Sequence, residues 1–125
     1  MRLLLDTMVF LWWVEDSPRL GRKARRAIGS GDVYVSAVTG FEISTKRGIG
    51  RLQFDDSIES QVAANSFRTL DITLEHAVNA GDLPRHHRDP FDRLLIAQAQ
   101  IEGMVIATSD AVFERYDVEL LAAPT

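Results

Sequence analysis

The chain has 125 residues, no cysteine and a formal charge of −4 at pH 7. This length suits one domain with a substantial core, and 46% apolar residues argue against a disordered chain. Without cysteine, disulfides, thiolate metal sites and cysteine nucleophiles are excluded. The negative charge argues against a protein that coats nucleic acid by bulk attraction. It remains compatible with an enzyme that has a local rim of basic residues around an acidic centre.

The apolar N-terminal segment lacks the features of a targeting or membrane-spanning sequence. Asp6 interrupts it, and Ser17-Pro18-Arg19 is a poor signal-peptide cleavage site. Its longest unbroken apolar stretch, residues 8–14, is far shorter than the ~20 residues that span a bilayer. We therefore expect a soluble, cytoplasmic protein.

Strands and helices alternate along the first half of the chain. Its first segment is a wholly apolar run, typical of a strand buried on both faces. Glycines follow two of the predicted helices and end them. The predicted elements are a strand over 2–5, a helix over 7–14, a helix over 20–28, a strand over 33–35 and a helix over 37–47.

The second half continues the alternation. Its clearest helix has Asp89 as N-cap, Pro90 in the first position and Gly103 at its end. The predicted elements are helices over 57–66, 74–80, 89–102 and 111–116, a strand over 104–107, and weaker strand candidates over 70–72 and 118–120. The pattern predicts an α/β fold with helices on both faces of a central parallel sheet of four to five strands.

Four acidic residues occupy positions suited to an active site. Asp6 directly follows a predicted strand, and Asp110 ends the segment Thr108-Ser109-Asp110 that directly follows another. Functional groups collect at these positions in parallel sheets. Both are equally plausible as N-caps of the helices that follow. Glu42 is ambiguous too: it completes a capping box with Thr39, unless Ser36 caps that helix and leaves Glu42 free.

Asp92 is the most informative of the four. It lies in the first turn of a helix that is apolar around most of its circumference, which predicts burial. A carboxylate on such a buried face costs several kcal/mol unless a metal ion or an arginine pairs with it. Asp89, by contrast, is interpreted as a structural cap.

Convergence of these carboxylates would require a cation. Two carboxylates ~5 Å apart repel by about 3 kcal/mol at an effective dielectric near 20, so without a cation one would take up a proton. Oxygen-only ligands suit Mg²⁺ or Mn²⁺. Such an ion can activate water and stabilise charge on a phosphate, which is the chemistry of phosphodiester hydrolysis.

Histidines and basic residues are the other candidates for binding roles. His86 and His87 are adjacent in a predicted loop, where their side chains should diverge, and no third spaced histidine supports a zinc site. Clusters of basic residues are candidates for contacts with phosphate groups. The alternative is that each cluster is a solvent-exposed helix face or loop with no binding role. The candidate RNA-contacting residues are Arg22, Arg26, Lys46 and Arg51.

Taken together, several motifs resemble the PIN-domain ribonucleases, specifically the VapC type, which is the toxin half of type II toxin–antitoxin pairs. Individually these motifs are modest, but in order along the chain they are highly specific. They are LLDTMVFLWW at residues 4–13, FEISTK at 41–46, GRL at 50–52, DPFDRLLIAQA at 89–99 and TSD at 108–110.

The resemblance implies a three-layer α/β/α PIN-like domain over residues 1–125 and Mg²⁺- or Mn²⁺-dependent cleavage of RNA. It also implies a cognate VapB-like antitoxin and a homodimer. The family's metal-binding and catalytic carboxylates fall on Asp6, Glu42, Asp92 and Asp110. Its small hydroxyl residues, expected near the carboxylates or the substrate phosphate, fall on Thr7 and on Thr108 or Ser109.

Two other functions compete with this interpretation. A catalytically silent PIN-like binding module is possible, but the intact acidic set speaks against it. A response-regulator receiver has a similar length and layered architecture. It needs an acidic pair after the first strand and a lysine after the fifth, whereas here Asp6 is followed by Thr7 and the late strand ends in Thr108-Ser109-Asp110.

Overall fold

The structure, a computed structural model, describes residues 1–124. Helices and strands alternate along this part of the chain, as the sequence pattern predicts. The elements are β1 (Arg2–Leu5), α1 (Thr7–Val14), α2 (Arg22–Ser30), β2 (Asp32–Ser36), α3 (Ala37–Gly48), α4 (Ile58–Ala64), β3 (Arg68–Leu70), α5 (Leu74–Asp82), α6 (Pro90–Glu102), β4 (Val105–Thr108), a 3₁₀ helix (Ala111–Arg115) and β5 (Leu120–Ala122).

The five strands form one parallel sheet in the order β3-β2-β1-β4-β5. At the centre, Leu4 of β1 lies opposite Tyr34 of β2 and Ile106 of β4. The predicted α/β fold with a parallel sheet is confirmed, with five strands. The strand order changes direction between β1 and β4, and this switch point is where parallel sheets of this kind form a ligand-binding crevice.

Both faces of the sheet are covered, which explains why β1 is apolar at three consecutive positions. Leu3 and Leu5 point into a core shared with α1, α2 and α4, whereas Leu4 points into a second core shared with α6. All three leucine side chains are fully buried. Full burial of a leucine side chain stabilises a fold by about 1.5–3 kcal/mol, so β1 anchors the strand end that carries Asp6.

Three elements, α2, β3 and β5, are displaced by two residues at both ends from the sequence-based expectation. In addition, α4 ends two residues earlier than expected and α5 two residues later. β3 covers Arg68–Leu70 rather than 70–72, and β5 covers Leu120–Ala122 rather than 118–120. Both are edge strands, whose limits depend on their pairing with β2 and β4 more than on their own apolar content. α2 begins at Arg22 because Leu20 instead forms an isolated antiparallel bridge with Pro124. Within residues 1–124, no helix combines the length and apolar character needed to cross a membrane.

Gly21 marks a close approach between the start of α2 and the C-terminal segment. Its amide donates to the Ala123 carbonyl at 2.7 Å, and an added Cβ would lie 2.5 Å from the Pro124 carbonyl oxygen. We expect Gly21→Ala to destabilise the fold by about 1–3 kcal/mol, because backbone must move to make room. Gly40→Ala, inside α3 with open space around the new methyl, should stabilise it by about 0.5–1 kcal/mol. Urea denaturation of both variants tests the opposite signs, and a Gly21→Ala protein as stable as the parent would contradict the close approach.

Candidate functional site

A cleft of about 350 Å³ opens beyond the carboxyl ends of β1 and β4. It brings together the four acidic residues that the sequence singles out. Its lining holds five carboxylates and two basic side chains, so the cleft is strongly negative. The lining residues are Asp6, Thr7, Met8, Leu11, Glu42, Lys46, Arg51, Leu52, Asp89, Asp92, Ser109, Asp110 and Phe113.

Asp6 serves as an N-cap and also faces the cleft. Its Oδ1 accepts a hydrogen bond from the Val9 amide at 2.8 Å, and its Oδ2 accepts one from the Thr108 hydroxyl. Burial raises the pKa of Asp6 from 3.8 to about 6, because the charged form loses solvation. The two hydrogen bonds oppose this shift, while the charges of Asp110 and Glu42 add to it.

The ambiguity over Glu42 is resolved in favour of Ser36 as the cap. The Ser36 hydroxyl accepts from the Val38 amide at 3.0 Å, so Glu42 has no capping role and its side chain turns into the cleft. There Oε1 accepts from the Thr7 hydroxyl at 2.6 Å, and Oε2 accepts from Lys46 Nζ at 2.6 Å. The hydrogen bond to Glu42 raises the pKa of Lys46, so the lysine remains a cation at the wall of the cleft.

Asp92 lies in the first turn of α6, about four-fifths buried, as its apolar surroundings predict. Its Oδ2 is 2.7 Å from Nε2 of His87. Burial raises the pKa of Asp92 to about 6, the hydrogen bond from His87 opposes the shift, and the charge of Asp89 adds to it. Asp89 itself caps α6 through bonds to the amides of Phe91 and Asp92, as predicted.

The neighbouring Arg93 does not pair with Asp92. Its buried guanidinium donates instead to five backbone carbonyls, which belong to Ala80, Gly81, Leu83, Pro84 and His87. These bonds tie the end of α5 and the following loop to α6. Arg93 therefore fixes the loop that places the His87 ring beside Asp92.

Asp110 and Thr108 complete the site from the end of β4. One oxygen of Asp110 accepts from the Val112 amide at 3.0 Å, so Asp110 caps the 3₁₀ helix while its exposed side chain lines the cleft. The Thr108 hydroxyl is buried, donates to Asp6 and accepts from the Asp110 amide at 3.0 Å. Between the two hydroxyl candidates, Thr108 links the strand-end aspartates, and Ser109 is exposed at the edge of the cleft.

His87 is the residue of the site that sequence reasoning missed. One ligand atom each from His87, Asp92 and Asp110 lie within 4.8 Å of one another. His86 points elsewhere, with its ring centroid 5.2 Å from that of Tyr116, so the two histidine side chains diverge as expected. The available sequence signal is the position of His87 two residues before Asp89, the cap of α6, where a loop returns to the first turn of the helix.

The basic candidates separate into two groups. Lys46 and Arg51 line the cleft, whereas Arg22 and Arg26 are exposed on α2 and are not among the described residues of the lining. A larger cavity of about 620 Å³ lies between α3, α4 and the β2–β3 edge, but Glu59 is the one carboxylate among its described lining residues. The smaller cleft is therefore where the acidic chemistry is concentrated.

The donor set of the cleft fits a hard divalent cation. Two of its carboxylates are buried with pKa values of about 6, because their hydrogen bonds offset only part of the solvation that the charged form loses. Their charges are therefore only partly compensated within the protein. A Mg²⁺ or Mn²⁺ ion would supply that compensation and takes carboxylate oxygen ligands.

A family model for the PIN domain matches residues 3–119. The chain belongs to the PIN domain family. It is 35% identical over 112 residues to ribonuclease VapC22 of Mycobacterium tuberculosis, a match covering 86% of each protein. The prediction of a PIN domain of the VapC type is thereby confirmed.

Solved structures agree with this fold. VapBC2 from Rickettsia felis bound to a promoter DNA fragment matches with a TM-score of 0.72 and 13% identity, covering 98% of this chain and 99% of the other. DNA-bound VapBC from Salmonella typhimurium matches with a TM-score of 0.65 and 19% identity, covering 97% of each chain. The receiver alternative is not favoured, since receivers have the strand order 2-1-3-4-5.

Proposed function

We propose that this protein is a divalent-cation-dependent endoribonuclease that acts as the toxin of a type II toxin–antitoxin pair. The main observation in support of this proposal is that four acidic side chains from separate segments meet in one cleft. They are Asp6, Glu42, Asp92 and Asp110. Similarity to a VapC ribonuclease over most of the chain supports RNA as the substrate. The burial of Asp6, Glu42 and Asp92 argues against a silent binding module, because buried carboxylates destabilise a fold that makes no use of them.

The carboxylates are proposed to hold the cation directly or through water. When bound, the ion activates a water molecule and neutralises charge on the scissile phosphate. Glu42 would orient the attacking water, since its position is fixed by Thr7 on one oxygen and Lys46 on the other. Thr108 holds the Asp6 carboxylate toward the cleft through its buried hydroxyl.

The basic wall of the cleft is proposed to bind the RNA backbone. Lys46 and Arg51 stand beside the carboxylates, where they can contact phosphates next to the scissile bond. Two local cations in an otherwise acidic cleft favour a substrate held at few positions over indiscriminate RNA binding. Arg22 and Arg26, exposed on α2, would act only on a longer RNA that extends beyond the cleft.

A cognate VapB-like antitoxin is the proposed protein partner. VapC22 is named as a ribonuclease of the VapC type, and structural neighbours of this chain occur in VapBC and toxin–antitoxin complexes. The antitoxin would neutralise the nuclease by blocking access to the cleft. Co-expression with the product of an adjacent short open reading frame is expected to relieve any growth arrest that the isolated chain causes.

Expression of wild type and Asp6→Ala in a bacterial host, with RNA cleavage assayed in Mg²⁺, Mn²⁺ and EDTA, tests the activity. We expect growth arrest and cleavage by the wild type alone, and no cleavage in EDTA. Because Asp6 also caps α1, Ser57→Ala is the matched control: it removes the cap of α4 and leaves the cleft intact. A wild type that neither arrests growth nor cleaves RNA contradicts the toxin assignment. Cleavage in EDTA, or by Asp6→Ala at wild-type rate, contradicts the metal mechanism.

A further inference from the structure

The four carboxylates differ in how many of their oxygens accept hydrogen bonds from the protein. Both oxygens of Asp6 and both of Glu42 already accept hydrogen bonds from groups of the protein. Asp92 and Asp110 each engage one oxygen, through Oδ2 and Oδ1 respectively. Among the residues of 1–124 that are not themselves exposed, no buried side-chain oxygen lacks a partner, so the remaining oxygen of Asp92 is open to the solvent of the cleft. Asp110 is an exposed residue.

His87 brings a third ligand atom to these two aspartates. The ligand atoms of His87, Asp92 and Asp110 lie within 4.8 Å of one another. Opposite ligands of an octahedral ion lie about 4.2 Å apart, since each metal–oxygen bond is about 2.1 Å. Side-chain movements of less than about 1 Å would therefore place all three atoms around one ion. The loop that carries His87 is held in place by Arg93, which supports a defined site.

We propose that His87 is a ligand of the catalytic cation, forming with Asp92 and Asp110 a nitrogen-containing site that prefers Mn²⁺ to Mg²⁺. Asp6 and Glu42, whose oxygens are oriented by hydrogen bonds from the protein, keep the roles proposed for them above. This inference rests on the proposed metal-dependent function and specifies its ion. The preference follows because imidazole nitrogen suits transition metals, whereas Mg²⁺ favours an all-oxygen environment.

Nε2 of His87 would bind the ion through its lone pair, with the ring proton on Nδ1. The hydrogen bond between Nε2 and Asp92 seen here would then be replaced by two bonds to the same cation. The alternative is a purely positioning role, in which His87 keeps donating to Asp92 and never contacts the ion. These two roles predict different behaviour for a glutamine at position 87, because glutamine can donate a hydrogen bond but offers no imidazole nitrogen.

Pulsed EPR of Mn²⁺ bound to the untagged protein tests the ligand directly. The chain has three histidines, and His76 is buried in a separate contact with Glu102, so the source of a ¹⁴N signal is readily assigned. We expect imidazole ¹⁴N modulation in wild type and in His86→Ala, the matched control from the adjacent position. The signal should be absent in both His87→Ala and His87→Gln.

Binding measurements provide a second readout. Removing His87 should weaken Mn²⁺ binding by at least about tenfold and Mg²⁺ binding by less than about threefold, measured by EPR of free Mn²⁺ and by calorimetry. Thermal denaturation without metal verifies that the variants fold. Mn²⁺ binding and RNA cleavage without ¹⁴N modulation in the wild type overturn the ligand role and leave the proposed function intact. Wild-type Mn²⁺ affinity in His87→Gln also overturns it, and failure of every divalent ion to bind overturns both.

Discussion

Replacing Asp92 by asparagine is expected to stabilise the metal-free fold and to remove nuclease activity. The pKa of this carboxyl is about 6 in the folded protein against 3.8 without burial, so at pH 7.5 the folded state holds a charge that its surroundings disfavour. The shift corresponds to about 3 kcal/mol, and partial exposure to the cleft reduces the expected gain to about 1–2 kcal/mol. Activity should fall by about a thousandfold or more, as expected if about 4 kcal/mol of transition-state stabilisation is lost.

The pH dependence of this effect has a definite sign. Because the folded-state pKa of Asp92 is raised, the folded state binds more protons between pH 3.8 and about 6, and stability falls as pH rises through that window. Asp92→Asn should therefore gain nothing over the wild type at pH 4 and show its full gain above pH 6. Urea denaturation in EDTA at several pH values measures the difference between the two proteins.

Asp89→Asn is the matched control for this experiment. Asp89 lies three positions earlier and caps α6 through the amides of Phe91 and Asp92, and asparagine caps a helix about as well as aspartate. We expect its stability to stay within about 0.5 kcal/mol of the wild type and its nuclease activity within about threefold. Two results would contradict this prediction. An Asp92→Asn variant no more stable than wild type at pH 7.5 would show that the Asp92 charge does not destabilise the fold. Normal RNA cleavage by the variant would show that the charge is not needed for activity.

The sequence predicted those parts of the fold and site that depend on local pattern. β1, α1 and α6 carry strong apolar and capping signals, and their limits were predicted within about one residue. The strand ends that carry Asp6 and Asp110 followed from the same signals. β3 was misplaced by two residues because its Arg68-Thr69 segment has no apolar pattern, and pairing with β2 determines its limits.

The remaining features depend on tertiary contacts that no local pattern encodes. Only the fold shows that Ser36 caps α3 and that Glu42 instead meets Thr7 from another element. The role of His87 depends on a loop held by Arg93, whose carbonyl partners lie up to 13 residues earlier in the chain. Sequence spacing alone therefore argued against a metal-binding role for either His86 or His87.

Capping and catalysis proved to be compatible uses of the same carboxylates. On sequence grounds Asp6 and Asp110 could each be either a helix N-cap or a residue of the site. In the structure each caps a helical segment and also lines the cleft. A carboxylate has two oxygens, so one can fix the side chain to the backbone while the other is directed by a hydroxyl or left to solvent. The cap thereby holds each charge in place before any cation arrives, which reduces the reorganisation required on binding.

Divalent cations are expected to stabilise the protein, and strongly so only above the pKa values of the buried carboxyls. At a Mn²⁺ concentration about 100 times its Kd, stabilisation should reach about 2.7 kcal/mol. For a chain of this size that raises Tm by about 10 °C. The reason is that the cation compensates the charges of Asp6 and Asp92, which burial disfavours at neutral pH.

Protons and the cation compete for these sites, which determines the direction of the pH effect. At pH 5, carboxyls with pKa values of about 6 are mostly protonated, and each proton that must be displaced lowers the apparent cation affinity by about tenfold. The Mn²⁺-induced shift in Tm should therefore be large at pH 8 and nearly absent at pH 5 at the same ion concentration. Differential scanning fluorimetry with Asp92→Asn as control measures it, since that variant should show little shift at either pH. Equal shifts at both pH values, or a full shift in Asp92→Asn, would mean that the cation binds elsewhere on the protein.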